Sequence, residues 1–368
     1  MLNGAWAAQL RQLPWAVIAA VVAIGGFGIV VLYSAAGGSL QPWALKQAIR
    51  FGILLVGMLV LSRVPVSLWL RWAYPLYAAV LLSLLGVDLL GAIGGGSRRW
   101  LDLKVMQLQP SEFMKLAIVL ALARFYHFVP RQFAGSLTAL WPPLVLIALP
   151  AGLVMLQPDL GTALAIVFGG VMIMFLAGVS LWLFVGAGTA LAAALPIAWS
   201  LMHDYQKKRV LIFLDPASDP LGAGYHITQS KIAIGSGGLI GKGFLHGTQS
   251  HLDYLPELHT DFIFATMAEE WGFAGGIFIL GAYAVILTWV VRVAISAQAP
   301  FSRLTAMGLG FTLFFYLAIN LMMVTGLAPV VGIPLPLVSF GGSAMMTVLI
   351  LLGMVMSVAR AGGSPLTR

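Results

Sequence analysis

The sequence contains no cysteine and very little charge. Only 9% of its 368 residues are charged, whereas 60% are hydrophobic, and the mean hydropathy is +0.98. The absence of cysteine excludes disulfides, thiolate metal sites and thiol catalysis. The shortage of charge excludes an ordinary soluble domain, because such a domain does not need so much apolar surface. The net charge of +8 does not indicate nucleic acid, since the basic residues lie beside apolar runs rather than in one patch.

Apolar runs of about 20 residues recur along the whole chain, which is the length that a helix needs to cross a bilayer. We therefore expect an all-α multi-pass membrane protein, with about ten transmembrane helices in one bundle and a single domain over residues 1–368. The first run is too long for a signal-peptide h-region and is kept as a span. The expected spans are residues 14–34, 46–62, 73–90, 111–128, 140–156, 160–177, 181–202, 262–291, 304–325 and 339–359.

Arginines near the ends of these spans indicate the orientation, because cytoplasmic loops carry an excess of Lys and Arg. One side of the predicted bundle, which we assign to the cytoplasm together with both termini, receives Arg11, Arg63, Arg71, Arg124, Arg131, Arg292, Arg303 and Arg360. The other side receives the loop 91–110, the turn 157–159, a large loop 203–261 between the seventh and eighth spans, and the loop 326–338. The large loop contains Lys207, Lys208 and Arg209, but long loops translocate largely regardless of charge.

The large loop ends in a carboxylate. Asp261 is the last residue before the apolar run that begins at Phe262, so we expect it at the outer boundary between water and lipid. There it can meet a substrate that is half lipid and half sugar, and burial beside Phe262 would raise its pKa toward neutrality. The structural alternative is that Asp261, or Thr260, caps the helix that follows.

Four further acidic residues lie in or beside predicted spans, where an unpaired charge is costly. Glu112 and Lys115 are three residues apart and can pair on one helix face, with Ser111 as the predicted helix cap. Asp159 is expected to cap the sixth helix at the depth of Asp261. Glu269 and Glu270 are expected to hold neighbouring helices through hydrogen bonds.

Three loops contain residues that could contact a ligand. Arg98, Arg99 and Trp100 suggest a segment in the lipid headgroup zone, or an ordinary interfacial loop. The glycine-rich segment 235–243 lacks the spacing of a nucleotide-binding P-loop, so it is interpreted either as a cradle for a pyrophosphate or sugar or as a mobile surface loop. The Gly- and Pro-rich segment 326–343 is expected to be non-helical backbone that forms a re-entrant wall of an outer cavity, or else a plain loop.

Five blocks along the chain together resemble a known family. They are residues 96–101 (GSRRWL), 109–115 (QPSEFMK), 157–163 (QPDLGTA), 255–264 (LPELHTDFIF) and the run from 332–336 (GIPLP) to 341–343 (GGS). In this order they are similar to the signature blocks of the SEDS family (shape, elongation, division and sporulation). The run 247–254 (GTQSHLDY) is closer to the elongation branch than to the division branch. Val331 and Phe340 depart from residues that are common in the family.

The resemblance implies a peptidoglycan glycosyltransferase of the bacterial inner membrane that polymerises lipid II for cell-wall elongation and rod shape. It implies a class B penicillin-binding protein as partner, with other membrane proteins of the elongation complex and membrane lipids. It identifies Asp261 with the family's essential outer-loop aspartate, and Trp100 with its loop tryptophan. It makes a divalent cation, Mg²⁺ or Mn²⁺, plausible, with Asp261 as a candidate ligand, although the sequence itself contains no metal-ligand spacing.

Under this interpretation Asp261 is the catalytic carboxylate, and a cavity around it binds the substrate. The leaving pyrophosphate needs cations, for which the sequence offers Arg98, Arg99, Lys115, Lys208 and Arg209 without ranking them. Glu112 would orient Lys115, and Asp159 would contribute to the same cavity. Two alternatives stay open: a flippase or transporter for the lipid-linked precursor, and a non-catalytic scaffold for cell-wall enzymes.

Overall fold

The computed structural model describes residues 13–90, 92–94, 97–102, 107–201, 204–215, 219, 222–252 and 257–362. Its helices are α1 (Trp15–Ala35), α2 (Ala44–Leu61), α3 (Val66–Leu90), α4 (Pro110–Phe128), α5 (Leu137–Leu156), α6 (Leu160–Ala177), α7 (Leu181–Leu201), α8 (Asp204–Leu214), α9 (Ala223–Ser236), α10 (Thr248–His251), α11 (Ile263–Ser296), α12 (Pro300–Val324) and α13 (Gly342–Ala361), with a short 3₁₀ turn at Arg131–Phe133.

The predicted multi-pass helical fold is confirmed. Eight of the described helices are long and apolar enough to cross a membrane. Two more long helices, α4 and α7, occupy predicted spans. The first carries Glu112, Lys115 and Arg124, and the apolar part of the second covers only Leu181–Ile197. The prediction of about ten crossings therefore depends on how these two helices meet the bilayer.

Helices α4, α12 and α13 lie at the centre of the bundle. Helix α4 packs against α3, α6 and α12, and α13 packs against α2. Small residues at the contacts let the helices approach closely: a methyl group on Gly308 would lie 2.4 Å from Ile173, and one on Gly353 would lie 2.9 Å from the carbonyl oxygen of Met58. Close backbone approach of this kind is how membrane helices associate where no hydrophobic driving force exists between them.

Seven of the eight arginines predicted to share one side lie together at one end of the bundle, which we call the arginine end; Arg11 lies outside the described residues. Arg124 donates to the carbonyl oxygens of Leu70 and Arg71, and Arg360 donates to that of Arg63. Arg131 and Arg303 line one cavity. The assignment of this end to the cytoplasm stays a prediction.

The segment between α3 and α4 is a small antiparallel sheet rather than the irregular loop that the sequence suggested. Its strands are β1 (Ala92–Gly94), β2 (Ser97–Asp102) and β3 (Gln107–Leu108), in the order β1-β2-β3. Ala92 pairs with Trp100, and Leu101 pairs with Leu108. Strand β2 contacts α3 and α4, so the sheet covers the ends of these helices opposite the arginine end.

The large loop folds into helices of its own. Helix α9 packs against α11 and α12. The hydroxyl of Ser230 donates to the carbonyl oxygen of Val324 over 2.7 Å, which ties α9 to the end of α12. Residues 253–256, just before the site discussed below, lie outside the described structure.

The glycine-rich segment 235–243 fills a break in α11, a role that neither interpretation from the sequence included. Gly272 interrupts this 34-residue helix with φ 60° and ψ −156°. The amides of Lys242 and Gly243 donate to the carbonyls of Glu269 and Glu270, each over 3.0 Å. In return, the carbonyl of Gly238 accepts from the amide of Phe273, and that of Leu239 from Ala274. The segment therefore satisfies backbone groups that the break would otherwise leave unpaired in the bundle.

This packing predicts that Gly272→Ala destabilises the protein. A methyl group there would lie 2.3 Å from the amide nitrogen of Gly241, and the backbone conformation is open only to glycine. We expect a loss of about 1–3 kcal/mol from the backbone strain alone. Thermal unfolding in detergent measures it. The matched control is Gly281→Ala in the same helix, where nothing lies within 4 Å of the added methyl group. Equal stability of the two variants would contradict the role given to the break.

Candidate active site at the start of α11

Asp261 lies in the turn that leads into α11, and its carboxylate does not cap the helix. The cap position is Phe262, which makes no side-chain capping hydrogen bond. Thr260 instead donates to the side chain of Glu257 over 2.7 Å. The capping alternative for Asp261 and Thr260 is therefore wrong, and the partly exposed Asp261 carboxylate is left for another role.

A buried amide fixes the backbone of Asp261. Asn320, near the end of α12, is fully buried, and its Nδ2 donates to the carbonyl oxygen of Asp261 over 2.9 Å. The same nitrogen donates to the carbonyl oxygen of Ile333 over 2.8 Å. One side chain thus ties the catalytic candidate to the segment between α12 and α13.

The segment 326–341 is non-helical and is packed into the protein, as its glycines and prolines predicted. Leu335 and Val338 are buried, and the backbone at Val338 passes so close to α1 that a methyl group on Gly28 would lie 2.7 Å from the Val338 Cα. The hydroxyl of Ser339 donates to the carbonyl oxygen of Thr260 over 2.6 Å. Gly332, with φ 72°, passes close to Asp261: a methyl group there would lie 3.6 Å from the Asp261 Oδ2. This segment therefore forms one wall around the carboxylate.

The surroundings make Asp261 a weak acid. Burial raises the pKa of its carboxyl group to about 6, and the charges of Glu257 and Asp159 add to the rise. The upward shift agrees with the expectation from the sequence, and burial is its main cause as expected. A carboxyl group with this pKa is ionised at neutral pH and still basic enough to accept a proton.

Aromatic and cationic side chains border the same turn. His259 stacks on Trp43 with ring centroids 4.3 Å apart, and its carbonyl accepts from the amide of Phe340 over 2.8 Å. Burial lowers the pKa of His259, which favours the neutral imidazole. The guanidinium of Arg50 lies 5.4 Å from the centre of the Phe340 ring. This side of the site therefore combines flat apolar surfaces with one cation.

The turn 157–159 approaches from the sheet side. Asp159 caps α6 as predicted, accepting from the amide of Thr162 over 3.1 Å, and its other oxygen accepts from Gln109 over 3.0 Å. Arg99 holds the turn by donating to the carbonyls of Gln157 and Pro158 over 2.7 and 2.6 Å. Arg99 is thus engaged with backbone oxygens in this structure.

Glu112 and Lys115 form the predicted ion pair, and it is buried. The pair is closed by Tyr316 of α12, whose hydroxyl donates to Glu112 and whose ring faces the Lys115 ammonium at 4.2 Å. Glu112 is 4% exposed and Lys115 is 2% exposed. In this arrangement the ammonium neutralises Glu112 and is not presented to a bulky ligand. Ser111 does not cap α4: the helix begins at Pro110 after Gln109, with no capping side chain.

The two acids of α11 hold other parts of the fold through hydrogen bonds, and Glu270 contacts a neighbouring spanning helix as expected. Glu270 accepts from the hydroxyl of Ser34 and so connects to α1. Glu269 accepts from Lys242 over 2.7 Å, from Thr248 over 3.0 Å and from the amide of Gln249 over 3.0 Å. The partners of Glu269 belong to the large loop rather than to a neighbouring spanning helix.

The structure does not test some of the predicted ligand contacts. The side chains of Arg98, Lys208 and Arg209 lie outside its described part, and Trp100 is partly buried in β2. Among the described residues, no group of three or more His, Asp or Glu side chains could hold a metal ion. Asp261 stays a candidate for sharing a divalent cation with substrate phosphates, a mode that Mg²⁺ commonly uses.

Sequence reasoning missed two residues that hold the turn, Asn320 and Ser339, and two that border the site, Trp43 and Arg50. Asn320 carries a usable signal, since a primary amide inside an apolar span is normally retained for hydrogen bonding. The others gave no signal, because only the fold brings them to residues 257–261.

Comparison with known proteins shows which family the chain belongs to. The model of the FtsW/RodA/SpoVE family, described as "Cell cycle protein", matches residues 11–362. The chain belongs to this family. It is 46% identical over 336 residues to the peptidoglycan glycosyltransferase MrdB of Escherichia coli K12, covering 90% of this chain and 89% of the relative. It is 36% identical over 365 residues to a probable peptidoglycan glycosyltransferase FtsW of Trichlorobacter lovleyi, covering 95% and 94%.

Two solved structures are similar over nearly the full length. A chain from a peptidoglycan synthase complex, described in terms of coordinated polymerization and crosslinking, matches with a TM-score of 0.83 at 34% identity, covering 95% of this chain and 98% of that chain. The crystal structure of the rod shape determining protein RodA of Thermus thermophilus matches with a TM-score of 0.71 at 31% identity, covering 95% and 97%. The arrangement described above is therefore built on an FtsW/RodA/SpoVE fold.

The two hydrogen bonds donated by the Asn320 amide predict that Asn320→Leu destabilises the protein. The substitution keeps the number and branching of the side-chain heavy atoms but leaves the carbonyls of Asp261 and Ile333 without their donor, so we expect a cost of about 1–3 kcal/mol. Thermal unfolding in detergent provides the measurement. Thr347→Val is the control, because the Thr347 hydroxyl is buried with no hydrogen-bond partner among the described residues, and its removal should cost nothing. An Asn320→Leu variant as stable as the unsubstituted protein would contradict this role of Asn320.

The buried Glu112–Lys115 pair predicts that a second substitution can restore the stability lost when Lys115 is replaced. Lys115→Met leaves Glu112 charged and uncompensated, and we expect a loss of about 3–5 kcal/mol. Adding Glu112→Gln removes the stranded charge, keeps an acceptor for Tyr316, and should restore most of the stability. Unfolding of both variants in detergent tests this. If the double variant were no more stable than Lys115→Met alone, the ammonium would have a role other than neutralising Glu112.

Proposed function

We propose that the protein polymerises lipid II into peptidoglycan glycan strands, with Asp261 as the catalytic carboxylate at the outer face of the cytoplasmic membrane. The observation that carries the proposal is the placement of Asp261: a partly exposed carboxylate without a capping role, with its pKa raised to about 6, held at the start of an apolar helix. Family membership supports it, because relatives across the full length are named peptidoglycan glycosyltransferases.

The position suits a substrate that is part lipid and part sugar. The polyprenyl chain would remain among apolar helices, since moving it into water costs about 0.8 kcal/mol per CH₂ group. The disaccharide would lie beside the turn 257–261, where the rings of Trp43, His259 and Phe340 offer flat surfaces.

The proposed reaction is a single displacement. The 4-hydroxyl oxygen of the acceptor sugar attacks the anomeric carbon of the donor, while the bond from that carbon to the pyrophosphate oxygen breaks. Undecaprenyl pyrophosphate leaves with the bonding electron pair, and the configuration inverts. The Asp261 carboxylate accepts the proton of the attacking hydroxyl, which is the single general base that inversion requires.

The leaving pyrophosphate needs positive charge, and the cations are not equivalent. Lys115 is paired with Glu112, and Arg99 donates to two backbone carbonyls, so both have structural duties. Arg98, Lys208 and Arg209 stay candidates from the sequence. The described residues add Arg50, which lies over Phe340 and makes no salt bridge there. A divalent cation shared between Asp261 and the phosphates would supply further charge neutralisation when bound.

We also propose an orientation in the membrane and partners for the enzyme. The arginine end would face the cytoplasm with both termini, following the positive-inside rule. A class B penicillin-binding protein would be the crosslinking partner, supported by the similarity to a chain of a peptidoglycan synthase complex. Other membrane proteins of the elongation complex and membrane lipids would complete the assembly.

The alternative function, a flippase, would need charged groups through the full depth of the membrane. The described buried acids instead lie within about two helical turns of the Asp261 end of the bundle.

The proposal predicts that Asp261→Asn abolishes polymerisation without unfolding the protein. The amide keeps the size of the side chain but cannot accept the hydroxyl proton, so we expect a rate loss of about 10²–10⁴-fold. Glycan product from purified protein and lipid II in detergent measures the activity, and thermal unfolding checks the fold. Product formation without a membrane also separates an enzyme from a flippase or a scaffold. A folded Asp261→Asn protein that polymerised at the normal rate would eliminate Asp261 as the base.

The raised pKa predicts the pH dependence. Only the ionised carboxylate can act as base, so the rate should rise with pH through about 6 and level off above it. Glu257→Gln removes a negative charge that raises this pKa, so the rise should move to lower pH, whereas Glu257→Asp keeps the charge and should leave it in place. pH–rate profiles of the three proteins, each checked for folding, provide the test. Identical profiles for Glu257→Gln and the unsubstituted protein would contradict this electrostatic account.

A further inference from the structure

A cavity at the arginine end is separate from the site described above. It has a volume of about 320 Å³ and is lined by Tyr126, Phe128, Arg131, Leu176, Arg303 and Leu304, among others. Helices α4 and α6 end beside it, at Phe128 and Ala177, and α12 begins beside it at Pro300. It therefore opens where membrane-spanning helices terminate, which is the level of the lipid headgroups.

The cavity is positively charged, with no acid nearby in the sequence to balance it. Arg131 and Arg303 are both exposed, and the N-terminus of α12 adds the partial positive charge of a helix start. All 12 acidic residues lie between positions 88 and 270, and the loops 62–65, 129–136, 178–180 and 297–299 at this end contain none of them. None of the residues that line the cavity is acidic, so an anionic ligand would meet no opposing negative charge there.

A buried hydroxyl group indicates a ligand. Tyr126 is only 4% exposed, it lines the cavity, and its hydroxyl has no hydrogen-bond partner among the described residues. A buried donor without a partner costs stability, and such groups are almost always satisfied in native proteins. An oxygen acceptor in the cavity would satisfy it.

The rim of the cavity indicates that the ligand is a lipid. Phe128 is 54% exposed at the end of a spanning helix, and Phe133 in the adjoining turn is also 54% exposed. Exposed aromatic side chains at this level face acyl chains and headgroups rather than bulk water. A ligand with an anionic phosphate head and an apolar body meets both the two arginines and this rim.

We propose that this cavity binds the phosphate-bearing headgroup of an anionic membrane phospholipid. Arg131 and Arg303 pair with the phosphate, and the Tyr126 hydroxyl donates to one of its oxygens. The acyl chains run along Phe128 and Leu176. The site anchors the end of the bundle opposite Asp261 and takes no part in the transfer reaction.

Native mass spectrometry of the full chain in detergent tests the proposal, with dioleoyl-phosphatidylglycerol titrated against zwitterionic dioleoyl-phosphatidylcholine. We expect tighter binding of the anionic lipid. The double variant Arg131→Gln/Arg303→Gln should weaken that binding roughly 25-fold, from about a factor of five for each arginine. Tyr126→Phe, which removes only an unpaired hydroxyl and should fold normally, should weaken it roughly tenfold.

The control is Arg71→Gln/Arg292→Gln, which removes the same charge from exposed positions at the same end but outside this cavity. It should leave binding of the anionic lipid nearly unchanged. Equal losses for the two double variants would mean diffuse surface attraction and would overturn the proposal. So would equal binding of the two lipids. Displacement of the bound lipid by millimolar inorganic phosphate would show that the cavity is a site for soluble phosphate rather than for lipid.

Discussion

The site depends on one constraint: irregular backbone at membrane depth must find its hydrogen-bond partners inside the protein. Asn320 meets this constraint where α12 ends, by donating to the carbonyls of Asp261 and Ile333. Ser339 does the same for Thr260. These two side chains join the turn before α11 to the segment before α13. The turn that carries the carboxylate is thus held by α12 and by the segment 326–341, in addition to its own hydrogen bonds to Glu257.

The break in α11 follows from the same constraint. Gly272 opens the helix, and the segment 235–243 forms four backbone hydrogen bonds with the residues on either side of the break. Glu269 strengthens the junction by accepting from Lys242, Thr248 and the amide of Gln249. The large loop is therefore attached to the helix that begins beside Asp261, and a movement of the loop would be transmitted to that helix.

Sequence reasoning reached the helical bundle and the common end of the described arginines, because these follow from hydropathy and charge. It also placed Asp261 directly before a membrane-spanning helix. Pairings between near neighbours were also predictable, as Glu112 with Lys115 and the capping by Asp159 illustrate. Contacts between distant segments were not. A glycine-rich sequence such as 235–243 is compatible with a mobile loop and with a segment that fills a helix break. Only the hydrogen bonds to the backbone of α11 distinguish the two. Likewise, the sheet at β1–β3 depends on pairing that its mixed composition does not reveal.

The account rests on the claim that the sugar hydroxyl is activated at Asp261. The most direct measurement is an experimental structure of the full-length protein with lipid II bound. The account predicts a 4-hydroxyl oxygen within about 2.6–3.2 Å of the Asp261 carboxylate, with the polyprenyl chain among the apolar helices. Lipid II bound with its sugars away from this carboxylate, and with another acid or base beside the 4-hydroxyl, would contradict it.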